Sequence, residues 1–277
     1  MRLAQLIQFE LKRLMIPFVV MLAVTAALQL IGVYIEAKDY VSGVKQIMES
    51  QHITSFEQFT QLIGENTYSN VMGQSMWMIA PMLLCAAFMI LYLFFSWYRE
   101  WLGRRPFIIR LLSLPASRMN IYFAKLISFL MVLFGLVAAQ LLLLELEQAW
   151  FYQLVPDVLM RKVPLDIAIS SNMLLNMLVP PAFVDFVLFY GVGIAAVIVL
   201  TTIILLERSY RIVGIVVGFV YGAGIVVLFS IPFVMLIDRT SRFYPKELLA
   251  MGIGIVLLVT ALSIWWSSYL LRKKITV

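Results

Sequence analysis

The chain has 277 residues, is 63% hydrophobic and only 13% charged, with a mean hydropathy of +0.97 and a net charge of +6. A soluble fold of this size cannot enclose that much apolar surface, so the composition excludes a soluble globular domain and points to an all-α integral membrane protein. One cysteine, Cys85, excludes an intrachain disulfide framework, and one histidine, His52, argues against a histidine metal site or triad.

The first element is RLAQLIQFELKR, residues 2–13. Leu3, Leu6, Ile7 and Leu11 share one helical face, while Arg2, Lys12 and Arg13 fall elsewhere. The pattern predicts an amphipathic helix in the inner interface, and the plainer alternative is the basic start of the first span. A membrane-crossing helix needs ~20 mostly apolar residues. Six runs meet that length, at about 14–35, 75–97, 122–146, 183–206, 212–237 and 248–271. They are continuous rather than alternating, which favours helices over a β-barrel. The first run is too long for the apolar part of a signal peptide and is expected to remain as span one. Residues 1–277 are expected to form a single transmembrane domain.

Between spans one and two lies a long loop, 36–74. Ser55 with Gln58 forms a capping box ahead of Phe56, Phe59, Leu62 and Ile63, and Gly64 stops the helix they predict. The second long loop, 147–182, holds an apolar segment bracketed by Pro164 and by Pro180 and Pro181. It is too short to span and predicts an interfacial or re-entrant helix. Span five carries Gly214, Gly218 and Gly222 at four-residue intervals, a strip suited to close helix packing within the bundle or to a dimer seam. Glu145, Glu147 and Asp185 sit near outer helix ends, where solvation accounts for them.

Basic residues set the orientation. With the amino terminus inside, the inner segments hold Arg2, Lys12, Arg13, Arg99, Arg104, Arg105, Arg110, Arg118, Lys125, Arg208, Arg211, Arg272, Lys273 and Lys274, two thirds of the 21 Lys and Arg residues. Only Glu10, Glu100 and Glu207 join them. Both termini are therefore expected inside. The positive charge is a topology signal and a match to anionic lipid, and calls for no nucleic acid.

The largest inner feature is REWLGRRPFIIRLLSLPASRMNIYFAK, Arg99 to Lys125. Pro106 opens a short helix, Pro115 ends it, and Ser117 caps the next. Phe107, Ile108, Ile109, Leu111 and Leu112 make an apolar core ringed by Arg104, Arg105, Arg110 and Arg118. That apolar side must rest on lipid or enter a groove on another protein.

Glu100, Gly103, the pair Leu111 and Leu112, the run LPASR at 114–118 and Lys125 resemble the inner loop of ABC-2-type transporter permeases. The six spans and the amino-terminal amphipathic helix resemble the same family, and the long loops after spans one and three resemble its smaller bacterial branch, linked to peptide-antibiotic defence and export. The resemblance implies a subunit of the bacterial plasma membrane. It pairs with a second permease, identical or homologous, and with a cytoplasmic ABC ATPase that binds ATP and Mg. The chain itself has no Walker A motif, binds no cofactor and is not expected to be an enzyme. Glu100 and Gly103 would shape the loop, Phe107, Ile108, Leu111 and Leu112 would enter the ATPase cleft as a coupling helix, and Arg104, Arg105, Arg110 and Arg118 would meet acidic groups or lipid phosphates. A cargo path at the permease dimer interface would be lined by Gln29, Met76, Met78 and Met82, for a hydrophobic or amphipathic cargo such as a peptide antibiotic, lipopeptide or lipid. Two alternatives are a membrane sensor or scaffold that recognises an outer ligand, and a substrate-binding membrane subunit of an importer. An intramembrane enzyme would need paired catalytic groups at one depth, and none stands out.

Overall fold

The computed structural model describes residues 3–73, 75–101, 117–237 and 244–273. These are mainly helical, with no strand among them beyond one isolated bridge between Asn66 and Met160. The helices are α1 (Leu3–Ser50), α2 (Phe56–Ile63), α3 (Tyr68–Met72), α4 (Met76–Trp101), α5 (Arg118–Leu154), α6 (Leu165–Ser171), α7 (Met173–Leu178), α8 (Phe183–Tyr210), α9 (Ile212–Ile237) and α10 (Pro245–Lys273), with a 3-10 turn at Asp157–Leu159. Six of them, α1, α4, α5, α8, α9 and α10, are long and apolar enough to cross a membrane. Their outward side chains include Ile212, Val216, Phe219 and Val226 of α9, each more than half exposed, as an apolar solvent allows.

Three boundaries differ from those expected. Residues 3–13 are not a separate interfacial helix but the first turns of α1, which runs on through Pro17. The loop expected from residue 36 begins as helix, and α1 ends only at Ser50. It stops there because His52 takes a left-handed φ of 56°, letting Ile53 N–H donate to Met48 O at 2.8 Å. Span three likewise continues past its apolar run. The 37 residues of α5 rise ~55 Å at 1.5 Å each, against an apolar membrane core of ~30 Å.

A fourth difference is in the loop after span three. The single helix predicted between the prolines is two, α6 and α7, broken at Asn172. The Asn172 side-chain oxygen accepts from Leu174 N at 2.9 Å and Leu175 N at 3.1 Å, and its amide donates to Gly73 O at 2.7 Å. The same side chain caps one helix and ties it to the segment after α3. Asn172→Ala removes both, and should lower stability by ~1–2 kcal/mol, read as a lower unfolding midpoint in a fixed detergent.

The chain packs as two compact units, with boundaries inside α1, α4 and α5. The first holds residues 1–13, 90–130 and 182–277. Its core is Trp97, Tyr122, Ile204, Leu205, Leu206, Leu270 and Leu271. Buried hydroxyls join α8, α9 and α10: Thr202 Oγ1 lies 3.0 Å from Ser267 Oγ, and Tyr221 OH lies 2.6 Å from Ser263 Oγ. Such bonds tie helices where lipid offers no other partner.

The second unit holds residues 14–89 and 131–181. Its core includes Val33, Ala37, Phe59, Tyr68, Met72, Leu144, Phe151, Leu159 and Leu175, so α2, α3 and the 3-10 turn contribute to the same apolar mass as the long helices. The predicted α2 forms as expected. Ser55 is its N-cap, accepting from Gln58 N at 3.3 Å, and Gly64 ends it at φ 97°. The Gln58 side chain turns to Thr54, whose N–H and hydroxyl donate to Oε1 at 3.3 and 3.1 Å.

Candidate functional site

The segment singled out in the sequence leaves α4 at Trp101 and returns at α5. Glu100 is a helical residue in the last turn of α4. Gly103, Arg104, Arg105, Phe107, Ile108, Arg110, Leu111 and Leu112, with the brackets Pro106 and Pro115, lie outside the described residues. What the structure gives is the base from which that segment springs, all of it in the first unit.

Lys125, one turn beyond the first turn of α5, is the centre of that base. Its side chain is about 5% exposed, and Nζ sits 3.4 Å from Glu10 Oε1. It also donates to Ser96 O at 3.3 Å and lies over the Trp97 ring, 5.3 Å from its centroid. One ammonium thus holds the start of α1, the end of α4 and the start of α5. The Glu10 carboxylate reaches Arg13 as well, at 3.9 Å. Leu6 packs on Ile121 and Ala124, and Ser128 Oγ donates to Ile7 O at 3.3 Å. The amphipathic character read at 2–13 is used here for packing: Glu10 and Leu6 both turn to α5.

The other helix ends close around it. Arg118 Nη1 donates to Leu271 O at 2.8 Å, binding the first residue of α5 to the end of α10. Cationic side chains near a helix C-terminus meet carbonyls that have no intrahelical donor. Tyr98 OH donates to the Glu207 carboxylate, and the Arg208 guanidinium stacks 4.3 Å from the Tyr98 ring centroid. Arg99 lies 5.2 Å from the Phe95 centroid. Both ends of the basic segment are therefore fixed to one packed body by charge-assisted bonds and aromatic contacts.

The remaining expected residues do not gather into one site. Gln29 is fully buried, and its amide donates to Met78 O at 3.5 Å; Met78 is buried against it. Met76 is 74% exposed, and Met82 is half-buried. The glycine strip faces α8 of the same chain. A methyl group on Gly214 would strike Leu206 O, and one on Gly218 would come within 3.0 Å of Ile203 Cγ2. On Gly222 it would meet Ile203 Cδ1 at 3.2 Å.

One group differs from its expected solvation. Glu147 is not solvated: it is 0% exposed. Tyr68 OH donates to its Oε2 at 3.1 Å, while Oε1 has no hydrogen-bond partner. The signal that was present is the spacing of Gln140, Leu144, Glu147 and Phe151, one face of a helix; all four are buried. No group of three or more metal-ligating side chains occurs among the described residues. No family model, curated protein or solved structure matches the chain.

Proposed function

We propose that this chain is the membrane-spanning permease subunit of an ATP-driven ABC transporter of the ABC-2 type. It sits in a bacterial plasma membrane with both termini in the cytoplasm. It works beside a second permease and exports a hydrophobic or amphipathic cargo, a peptide antibiotic, lipopeptide or lipid. A separate cytoplasmic ATPase binds ATP and Mg and is coupled through residues 99–118.

The observation that carries the reading is the anchoring of that segment. A coupling loop must pass a push on the loop to the helices behind it, and a loop on soft ends would absorb the push. Here Lys125 joins α1, α4 and α5 through Glu10, Ser96 O and the Trp97 ring, and Arg118 joins α5 to α10. Rigid-body exchange between two packings is the class of motion such a base supports. The apolar residues Phe107, Ile108, Leu111 and Leu112 then supply the surface for the ATPase cleft.

Purification of the tagged full chain from its native membranes tests this. An ATPase subunit with nucleotide-binding motifs is expected to come down with it in fixed ratio. Recovery of the chain with no ATPase, across mild detergents, would move the sensor or scaffold reading ahead.

A further inference from the structure

Glu147 raises a separate question, because its surroundings suit a neutral acid better than an anion. It lies one residue past the apolar run 122–146, on the part of α5 that continues beyond that run. It has no exposed surface, and among the described residues no lysine, arginine or histidine pairs with it. Its one donor is Tyr68 OH at 3.1 Å, and Oε1 has none. Leu144 and Phe151 on its own helix are both buried, and the Tyr68 ring stands edge-on to Phe151 at 5.4 Å. A buried carboxylate with half its acceptors unmet carries a charge that nothing offsets, and a single proton on Oε1 removes it.

The ionisable groups on the surrounding elements do not supply a counter-charge. On α1, Glu36 accepts from Ser75 Oγ at 2.6 Å, and Tyr40 packs against the same core. On α5, Tyr152 bonds toward Arg161 O and Val163 N, and Glu145 is exposed. Asp157 of the 3-10 turn pairs with Lys162 at 2.8 Å, both at the surface. On α3, burial, and after it the neighbouring Glu147 carboxylate, hold the Tyr68 phenol well above the ordinary tyrosine range. Tyr68 therefore stays a donor whatever Glu147 does.

The element above Glu147 is small. Helix α3 has five residues, capped by Thr67, and is held at its flanks by Arg161 N donating to Asn66 O at 2.8 Å and by Asn172 on Gly73 O. Tyr68 and Met72 are the two side chains it buries. Short elements resting on few contacts are where local opening concentrates.

We propose that Glu147 is a reversible proton-binding site, and that its proton latches α3 onto α5. The proton comes from bulk water and goes to Oε1, while Oε2 keeps the Tyr68 hydrogen bond. When Glu147 loses the proton, the carboxylate is relieved by water, and water reaches it only as residues 66–73 lift. The latch is independent of the ATPase reading, since every contact in it lies within the second unit.

Amide hydrogen exchange of residues 66–73 in the full chain in nanodiscs tests it, from about pH 5 to about pH 9 and corrected for the intrinsic pH dependence of exchange. Wild type is expected to lose protection by roughly tenfold or more as pH rises, the size of one unit of differential proton affinity. Glu147→Gln, which keeps the shape without the charge, is expected to hold the acid-side protection throughout. A flat wild-type profile overturns the proposal, as does a transition that survives in Glu147→Gln. Should that variant not fold, wild type is read by infrared spectroscopy. Exposed carboxyls titrate near ~4, so a carboxylic-acid carbonyl band that vanishes above about pH 5.5 with the midpoint of the exchange transition supports the latch. No such band overturns it.

Discussion

Lys125→Ala is expected to be the most damaging single substitution among the described residues where α1, α4 and α5 meet. It removes one partner of a buried ion pair and leaves the Glu10 carboxylate, about 7% exposed in its side chain, with Arg13 at 3.9 Å as its remaining cation. Breaking such a pair from one side costs about 3–5 kcal/mol, because the cost is the stranded charge rather than the lost attraction. The Ser96 carbonyl and the Trp97 ring lose their partner in the same step. The control is the double variant Glu10→Leu/Lys125→Met. It leaves no buried carboxylate to strand, Arg13 being partly exposed to water, and fills the space with apolar groups, so most of the stability should return. The unfolding midpoint in one detergent measures both. If the double variant is as unstable as Lys125→Ala, the ion pair is not what holds the start of α1. On the transport reading the double variant also separates stability from coupling. It should fold well, yet transmit less from the loop, since the three-way tie through one ammonium is gone.

Alanine in the glycine strip of α9 should give a graded series, with the first position worst. A methyl group on Gly214 would run into Leu206 O and lie 2.7 Å from Leu206 C and 2.8 Å from Glu207 Cα. Those are backbone atoms of the preceding helix, and they cannot step aside. The turn that brings them there is tight: Arg211 has φ 52°, and its N–H donates to Glu207 O at 2.8 Å. Gly214→Ala must open that turn, at a cost of roughly 1–3 kcal/mol or more. Gly218→Ala presses on the branched Ile203 Cγ2 at 3.0 Å, a smaller cost. Gly222→Ala meets only the free end of Ile203 at 3.2 Å, which can rotate away. Gly224 has nothing within 4 Å, so Gly224→Ala should be neutral or stabilise by up to about 1 kcal/mol through helix propensity. Thermal midpoints should fall in the order Gly214, Gly218, Gly222, Gly224, from most to least affected. A seam between two copies would give another pattern: loss of dimer on crosslinking, with monomer stability unchanged.

The features legible in the sequence are those whose cause is local. Six apolar runs predict six long helices, because covering the backbone in lipid leaves few alternatives. The Ser55, Gln58 and Gly64 pattern predicts α2 to the residue, since a cap satisfies its own neighbours. What could not be read depends on distant chain. Helix α1 runs on past the apolar stretch through Glu36, Lys38 and Asp39, where Glu36 finds Ser75 39 positions later. Glu147 looks solvated beside Glu145, and is buried only because Tyr68 returns from 79 residues earlier. The break at Asn172 joins a local cap on Leu174 N and Leu175 N to a tie with Gly73, 99 positions away, and only the cap is a local signal. At the base of the 99–125 segment the position of Lys125 is legible as part of a motif. Its partner Glu10 was not, because polarity placed Glu10 at a lipid surface while the fold gives it a cation.

The coupling role of residues 99–118 is tested by comparing ATPase recovery with wild type and with Phe107→Asp/Leu111→Asp, purified from membranes in the same mild detergent. Both substitutions fall in the sequence between α4 and α5 and leave Lys125 and its partners unchanged, so the variant is expected to keep the wild-type unfolding midpoint. An ATPase subunit is expected to accompany wild type and to be lost from this folded variant. An ATPase held equally well by both, or by neither, would contradict the coupling role of residues 99–118 and with it the proposed function.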